Sequence, residues 1–318
     1  MRNFKKIFIT GICGSGGSYL AEYINEKFPK IKIYGIYRKK KFENIKKIKN
    51  KINLYKCDLN SYSETKKILN KIKPCAIFHL ASNADVRMSF DYPKEIIKNN
   101  NNCTLNLLES IRILKIKPVI MICSTSEVYG VVSKKNIPIK ENCSLNPASP
   151  YAVSKVFQDL LAQTYFKNYK LNIIITRMFS YFNSRRTNLF SSNWADQIAQ
   201  IERGKKKILY HGNLNSIRTI IGINDAMNAY WKAATLGRFG EIYNIGGGTT
   251  IKISKILSIL KSKSKVRVIS KIDKKLLRKT DVTLQIPDCN KFQKHCKWYP
   301  KENFEKSLQN LLDDFRSI

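Results

Sequence analysis

Short apolar, β-branched runs alternate with longer segments of helical period along the first two thirds of the chain. Lys6-Ile7-Phe8-Ile9-Thr10 opens the series, and Ile31 to Tyr37, Ile52 to Cys57, Ala76 to Ala81, Pro118 to Cys123 and Leu171 to Arg177 continue it. Runs this continuous predict strands buried on both faces. The stretches between them predict helices: one running through Ser18 to Ile24, one from Lys94 to Leu114, and one carrying Tyr151. Strand and helix in alternation predict βαβ units, hence an α/β fold built on a doubly wound, Rossmann-type parallel sheet. Beyond Arg177 the alternation weakens. Residues 180–219 read as irregular apart from a helix near Asn193 to Arg203, a helix and strand return at 221–236 and 240–246, and the remainder reads as a smaller helix-rich cap. The expected division is a nucleotide-binding domain of residues 1–179 with 220–246, and a substrate-binding cap of residues 180–219 with 247–318. Neither internal repeats nor a disordered linker interrupts the pattern.

The first strand runs directly into Gly11-Ile12-Cys13-Gly14-Ser15-Gly16-Gly17 and then into a helix. Strand, glycine turn and helix N-terminus form a cradle for a pyrophosphate, because free backbone N–H groups and the helix dipole meet its negative charge. Gly11, Gly14, Ser15, Gly16 and Gly17 are therefore expected to hold a dinucleotide. The second strand ends at Arg38-Lys39-Lys40, with no acidic residue until Glu43. A carboxylate at that place binds a ribose 2′-hydroxyl, whereas a cation accommodates a 2′-phosphate, so NADP is favoured over NAD and Arg38 is its expected reader. Asp58, at the end of the third strand, is placed to meet an adenine amino group beside Leu59, and Leu80 and Ala81 leave the fourth strand next to the same crevice.

Composition restrains what may be read into this basic tip. The 318-residue chain carries 58 Lys and Arg against 23 Asp and Glu, a net charge of +35. Such an excess ordinarily suggests nucleic acid or an anionic membrane. Here the lysines are scattered among Ile and Asn, with no zinc-finger, helix-turn-helix or aromatic RNA-binding signature. They are read as a solvated surface that also suits an anionic substrate; neither nucleic acid nor membrane is an expected partner. The eight cysteines include no Cys-x-x-Cys pair and are expected to be buried thiols of a reducing compartment. The apolar run after Met1 to Lys6 is too short for a signal peptide, so a cytoplasmic location is expected. The three histidines, 79, 211 and 295, are scattered, and His79 is read as structural, with no metal site.

The chemistry lies at Ser124-Thr125-Ser126-Glu127 and Tyr151-Ala152-Val153-Ser154-Lys155. On a helix, Tyr151 and Lys155 share one face. An ammonium beside a phenol favours the phenolate, lowering its pKa toward neutrality and making a proton-transfer group.

Together with Phe78-His79-Leu80-Ala81, Ser124 to Gly130, Ser149 to Lys155 and Gly240 to Gly246, these residues resemble the extended short-chain dehydrogenase/reductases that act on nucleotide sugars. Thr10-Gly11-Ile12, Gly17 to Leu20, Arg185-Arg186, Leu209 to Arg218 and Leu277 to Val282 are similar to the branch of GDP-mannose 4,6-dehydratases and GDP-6-deoxymannose reductases. The resemblance implies a GDP-sugar substrate, a recycled NADP and a homodimer or homotetramer. It implies that Thr125 and Tyr151 hold the C4 hydroxyl, that Lys155 binds the nicotinamide ribose, and that Glu127 drives loss of water. Ser126, Ser180, Arg218 and Arg278 are the expected substrate contacts, the two arginines because a guanidinium fork matches a diphosphate. A 4-keto-6-deoxysugar reductase or a 4-epimerase would use the same fold without the elimination, and remains the alternative. Three departures from the pattern bear on the sugar: Ser180 stands at a substrate-contacting Asn, Asn193-Trp194 stands at a basic pair, and Ala81 to Asp85 replaces the usual turn. Lost donors weaken selection of a hydroxyl-rich ligand, which points to a sugar other than plain mannose or to a less active member.

Overall fold

The protein is described by a computed structural model in which residues 1–277 and 282–317 are placed. In chain order the first half comprises β1 (Lys6–Thr10), α1 (Ser15–Lys27), β2 (Lys32–Tyr37), β3 (Asn53–Lys56), α2 (Tyr62–Ile72), β4 (Ala76–His79), α3 (Met88–Asp91), α4 (Pro93–Ile113) and β5 (Val119–Thr125). The second half comprises α5 (Pro150–Tyr169), β6 (Ile173–Met178), β7 (Ser180–Tyr181), α6 (Phe190–Glu202), β8 (Ile208–His211), β9 (Ile217–Ile221), α7 (Ile223–Leu236), β10 (Ile242–Ile245), β11 (Thr249–Lys252), α8 (Ile253–Ser262), β12 (Ile269–Ile272), β13 (Leu284–Gln285), α9 (Asn290–Cys296) and α10 (Phe304–Arg316).

The apolar runs form a seven-stranded, all-parallel sheet of order β10-β6-β5-β4-β1-β2-β3. Parallel strands need crossover helices, and these cover both faces. One face buries Ile7, Ile9, Ile24, Tyr230 and Trp231 with α1 and α7; the other buries Phe8, Ile77, Leu107, Ile111 and Ile120 with α2, α4 and α5. Strand order reverses between β1 and β4, where Thr10 and His79 are register partners. Such a switch point leaves a crevice at the carboxyl ends of the strands, and every catalytic residue expected above lies at that end of the sheet.

The segment 180–219 departs from its irregular reading, because it holds the short strands β7, β8 and β9 around α6. The remainder holds β11, β12 and β13 as well as helices. Strands of two to five residues are too short to show a period of their own and are set by their partners. β9 is the centre of this second sheet, pairing antiparallel with β11 and parallel with β13 and β7. Trp194, Ile198, Leu209, Ile256, Leu260, Leu308 and Phe315 form its core.

All eight cysteines are free, but only Cys57, Cys103, Cys289 and Cys296 are buried; Cys13, Cys123 and Cys143 are half-buried and Cys75 is exposed. The expectation of buried thiols fails at Cys75, which stands just before β4; its backbone already bonds Lys6 and Val119, but its side chain is exposed at that edge of the sheet. No helix among the described residues is long and apolar enough to cross a membrane.

Behind β5, Arg177 of β6 donates two hydrogen bonds to Asp159 of α5, at 2.9 and 3.2 Å, and Asp159 also accepts from Ser124 Oγ at 3.1 Å. Arg177 Nη1 reaches Tyr129 Oη and the Glu141 carbonyl, and Tyr129 Oη donates to Asn244. Both ion-pair side chains are essentially inaccessible. Removing one partner strands the other charge without solvent. Asp159→Ala should therefore lower unfolding free energy by about 3–5 kcal/mol, measured as a fall in the urea midpoint at unchanged slope.

Candidate active site

The glycine turn closes the sheet end at close range. Gly11 sits at φ +70°, and a Cβ there would lie 2.9 Å from the backbone of Ala81. A Cβ on Gly17 would collide with the Gly11 carbonyl. Both contacts require glycine and bring α1 hard against the turn, so its N-terminal N–H groups point into the crevice. Gly14 is the residue before α1 and carries no side-chain cap, while Ser15 is the first helical residue. Gly16 faces Leu80 and the Tyr181 hydroxyl. This cradle fits a dinucleotide pyrophosphate: it is narrow, free of side-chain bulk and lined by donors. Arg38 is exposed at the end of β2 and donates to Asn99 Oδ1 at 2.9 Å. Asp58 accepts from Asn60, and the Leu59 carbonyl accepts from Asn106 Nδ2 at 2.7 Å.

Tyr151 and Lys155 lie in the first turns of α5, whose start is set by Ser149, accepting from the Ala152 N–H at 3.1 Å, and by Pro150. Both side chains are buried. Burial pushes the Tyr151 phenol above its ordinary value, the opposite of the lowering expected from Lys155. The cation that draws it back down is Arg186, helped by a hydrogen bond with the Thr125 hydroxyl; Glu127 raises it. Thr125, Glu127 and Tyr151 are thus brought together. Lys155 spends its protons elsewhere, donating to the Cys123 carbonyl at 2.7 Å and to Gln158 Oε1 at 2.8 Å. Its own pKa is lowered by burial.

Gln158 is one of the residues the sequence reading missed. Its amide donates to the Asn100 carbonyl at 2.8 Å and to Thr104 Oγ1 at 2.6 Å. The Thr104 hydroxyl donates its single proton to the Asn100 carbonyl. It must therefore accept from His79 Nε2, 2.9 Å away. That makes His79 the Nε2–H tautomer, with Nδ1 accepting from Thr10 Oγ1 at 2.8 Å, and Thr10 Oγ1 in turn accepts from the Ala81 N–H. His79 is structural as expected, yet it links the glycine turn to Lys155. Asn100 also brackets Asn83, accepting from its N–H at 2.7 Å and donating to its carbonyl, which holds the turn after β4. A helical spacing of Asn100, Thr104 and Lys155, Gln158 was the available signal, but an Asn-rich run offers no way to choose among its members.

Ser126 is buried in the short 3₁₀ turn after β5, and Ser180 is half-buried on β7. Arg218 is buried on β9, where it donates to the carbonyls of Ile217 and Val282. Arg278 lies outside the described residues. Trp194, at the expected basic pair, belongs to the cap core instead, because α6 turns it inward. Arg186 was likewise missed as a site residue: it donates to Asn188 and to the Ala84 carbonyl, clasping the post-β4 turn. Arg185 is tied away from the site, its Nη2 donating to both Glu22 carboxylate oxygens and its guanidinium lying 3.9 Å over the Tyr19 ring. Gln285, on β13, donates to Glu127 Oε1 at 3.2 Å.

A family model for GDP-mannose 4,6 dehydratase matches residues 8–311. The GDP-mannose 4,6-dehydratase of Yersinia enterocolitica serotype O:8 is 28% identical over 97% of this chain and 93% of its own. That of Vibrio cholerae is 30% identical over 71% of this chain, and the match spans 63% of the Vibrio protein. Among solved structures, RMD from Pseudomonas aeruginosa complexed with NADPH superposes with a TM-score of 0.85 at 22% identity, covering 98% of this chain and 99% of that one, a likeness of fold.

Burial, together with the nearby Lys155 charge, lowers the His79 pKa to about 3, against about 6.5 in an unfolded chain. Between these values only the unfolded chain takes up the proton, so stability is full above about pH 6.5 and falls as pH drops toward 3. The slope is roughly 1.4 kcal/mol per pH unit. His79→Asn should be less stable at pH 7 yet show a pH dependence between 5 and 6.5 shallower by one proton, measured by urea unfolding across that range.

Proposed function

We propose that this chain, which belongs to the GDP-mannose 4,6 dehydratase family, is a GDP-sugar 4,6-dehydratase. The observation that carries the reading is the meeting of Thr125, Glu127 and Tyr151 at the carboxyl end of β5 and the start of α5. A hydroxyl, a carboxylate and a phenol are what oxidation at C4 followed by elimination across C5 and C6 requires. A reductase or 4-epimerase needs no elimination base, and Glu127 with a buried amide donor favours the dehydratase.

The glycine cradle, Asp58, Leu59, Leu80 and Ala81 would hold a nicotinamide dinucleotide, with the remaining Lys155 proton directed to its nicotinamide ribose. When bound, that cofactor supplies the hydride acceptor for C4 and returns the hydride at C6, so none is consumed. Thr125 hydrogen-bonds the C4 oxygen while Tyr151 takes the C4 hydroxyl proton, and Arg186 favours the phenolate needed for this. The C4 ketone acidifies C5–H. Glu127 takes that proton, the C5–H electron pair becomes the C5–C6 double bond, and the C6 hydroxyl departs as water carrying the proton from Glu127. A solvent proton delivered through Glu127 later enters C5 as C6 is reduced, and Tyr151 returns its proton to solvent. Arg218 and Arg278 are assigned to the diphosphate, and Ser126 and Ser180 to the sugar. The chain's nucleotide-binding unit is taken as residues 1–179 with 220–246, and its substrate-binding unit as 180–219 with 247–318. Val153, Phe157 and Leu160 leave an apolar strip on the outer side of α5, which suits a homodimer or homotetramer.

The basic end of β2 favours NADP over NAD. Arg38→Ala should weaken NADP binding by about 1.5–3 kcal/mol, the worth of one hydrogen bond to a charged group, and leave NAD nearly unchanged in parallel titrations. Equal losses for both would make Arg38 part of the general basic surface.

Glu127→Gln should oxidise GDP-mannose at C4 and stop there. Reduced cofactor then accumulates, seen as its near-ultraviolet absorbance, and solvent deuterium no longer enters C5. A mutant forming the 4-keto-6-deoxy product at the wild-type rate would make Glu127 structural and move the assignment to the reductase or epimerase.

A further inference from the structure

Glu127 is carried by the Rossmann sheet, but the group that holds its carboxylate comes from the cap. Gln285 is 4% exposed, and its Nε2 lies 3.2 Å from Glu127 Oε1. Only the amide orientation that presents N–H to the carboxylate is attractive; the flipped one would set two oxygens against each other. The backbone around Gln285 is fixed on both sides. Leu284 and Gln285 pair with Ile217 and Arg218 of β9, the Ile217 N–H donates to the Thr283 carbonyl at 2.7 Å, and the Ile139 N–H donates to the Ile286 carbonyl at 2.7 Å. On the other side, Glu127 is fixed at the start of its 3₁₀ turn, its N–H donating to Thr125 Oγ1 at 3.3 Å.

We propose that Gln285 is a positioning residue for the elimination step. It ties down Glu127 Oε1, leaving Oε2 to exchange the C5 proton. An N–H donor favours the ionised form of a carboxylate, the form that acts as a base. Because Gln285 is the register partner of Arg218, the strand pair assigned to the substrate diphosphate is also the one that aims the elimination base. Seating the GDP-sugar in the cap and setting Glu127 are then one event. This rests on the reading of Glu127 as the elimination base.

The test compares Q285L and Q285E with wild type, using GDP-mannose and following C5 deuterium incorporation, reduced-cofactor absorbance and product formation across pH. Loss of a hydrogen bond to a charged group in Q285L should slow elimination roughly ten- to hundred-fold. C4 oxidation should persist, so that reduced cofactor builds up, and the acid limb of the profile should move to higher pH. The isosteric Q285E places a second carboxylate against the first. It should move that limb upward by at least about one unit, and it decides alone if Q285L does not fold. A merely structural role would change melting temperature and yield without moving the limb. Elimination within about two-fold of wild type and an unshifted acid limb in the folded variants would overturn the proposal. If these variants behave as wild type while Glu127→Gln loses elimination, only the role of Gln285 falls. If Glu127→Gln itself turns over normally, the base assignment falls first.

Discussion

A buried ammonium must be given acceptors, and much of this site follows from meeting that need at Lys155. An uncompensated charge in the interior is far costlier than the hydrogen bonds that offset it. The acceptors come from a strand carbonyl, Cys123, and from Gln158 one turn along the same helix. Gln158 is in turn fixed by α4 through Asn100 and Thr104, and Thr104 by His79 of β4, which reaches Thr10 of β1. Five elements of the core are tied together around one charge. The chain of bonds ends at the Ala81 N–H, beside the close approach of Gly11. The glycine turn and Lys155 are thus parts of one hydrogen-bonded frame. A partly satisfied frame of this kind would be worse than an apolar core.

The cap is joined to this frame by side chains at several places. Residues 184–186 form one seam. Ser184 bonds Tyr19 of α1 and Asp314 of α10, Arg185 pairs with Glu22, and Arg186 reaches the turn after β4. Gln285 and Glu127 form another. Two neighbouring arginines therefore do different work: one fastens the cap to α1, and the other biases the buried Tyr151 phenol. Their adjacency in the chain hides this, since only the tertiary path turns one toward Glu22 and the other toward Ala84.

The parallel sheet was legible because buried strands must be apolar and β-branched throughout, and the glycine turn because Gly11 and Gly17 admit no side chain. The Tyr151 and Lys155 pair was legible from helical spacing only in the company of the glycine turn and of Ser124 to Glu127. The sign of the Tyr151 shift was not. Spacing places an ammonium on the same helix face as the phenol, but the neighbouring Cys123 carbonyl and Gln158 amide claim that ammonium, and burial raises the phenol. The cap strands were illegible because segments such as Ser180–Tyr181 and Leu284–Gln285 carry too few residues for a period and exist only by pairing with β9.

The sequence by itself determined the fold class, the glycine turn and the residue types gathered at the candidate site, since each depends on local periodicity, backbone freedom or near-neighbour chemistry. Tertiary structure decided which donors and acceptors meet. Gln158, His79, Arg186 and Gln285 gain their places from contacts 58, 25, 102 and 158 residues distant in sequence. Hydrogen bonding in a buried site is an accounting across the whole fold, and only the packed chain settles which group each buried proton reaches.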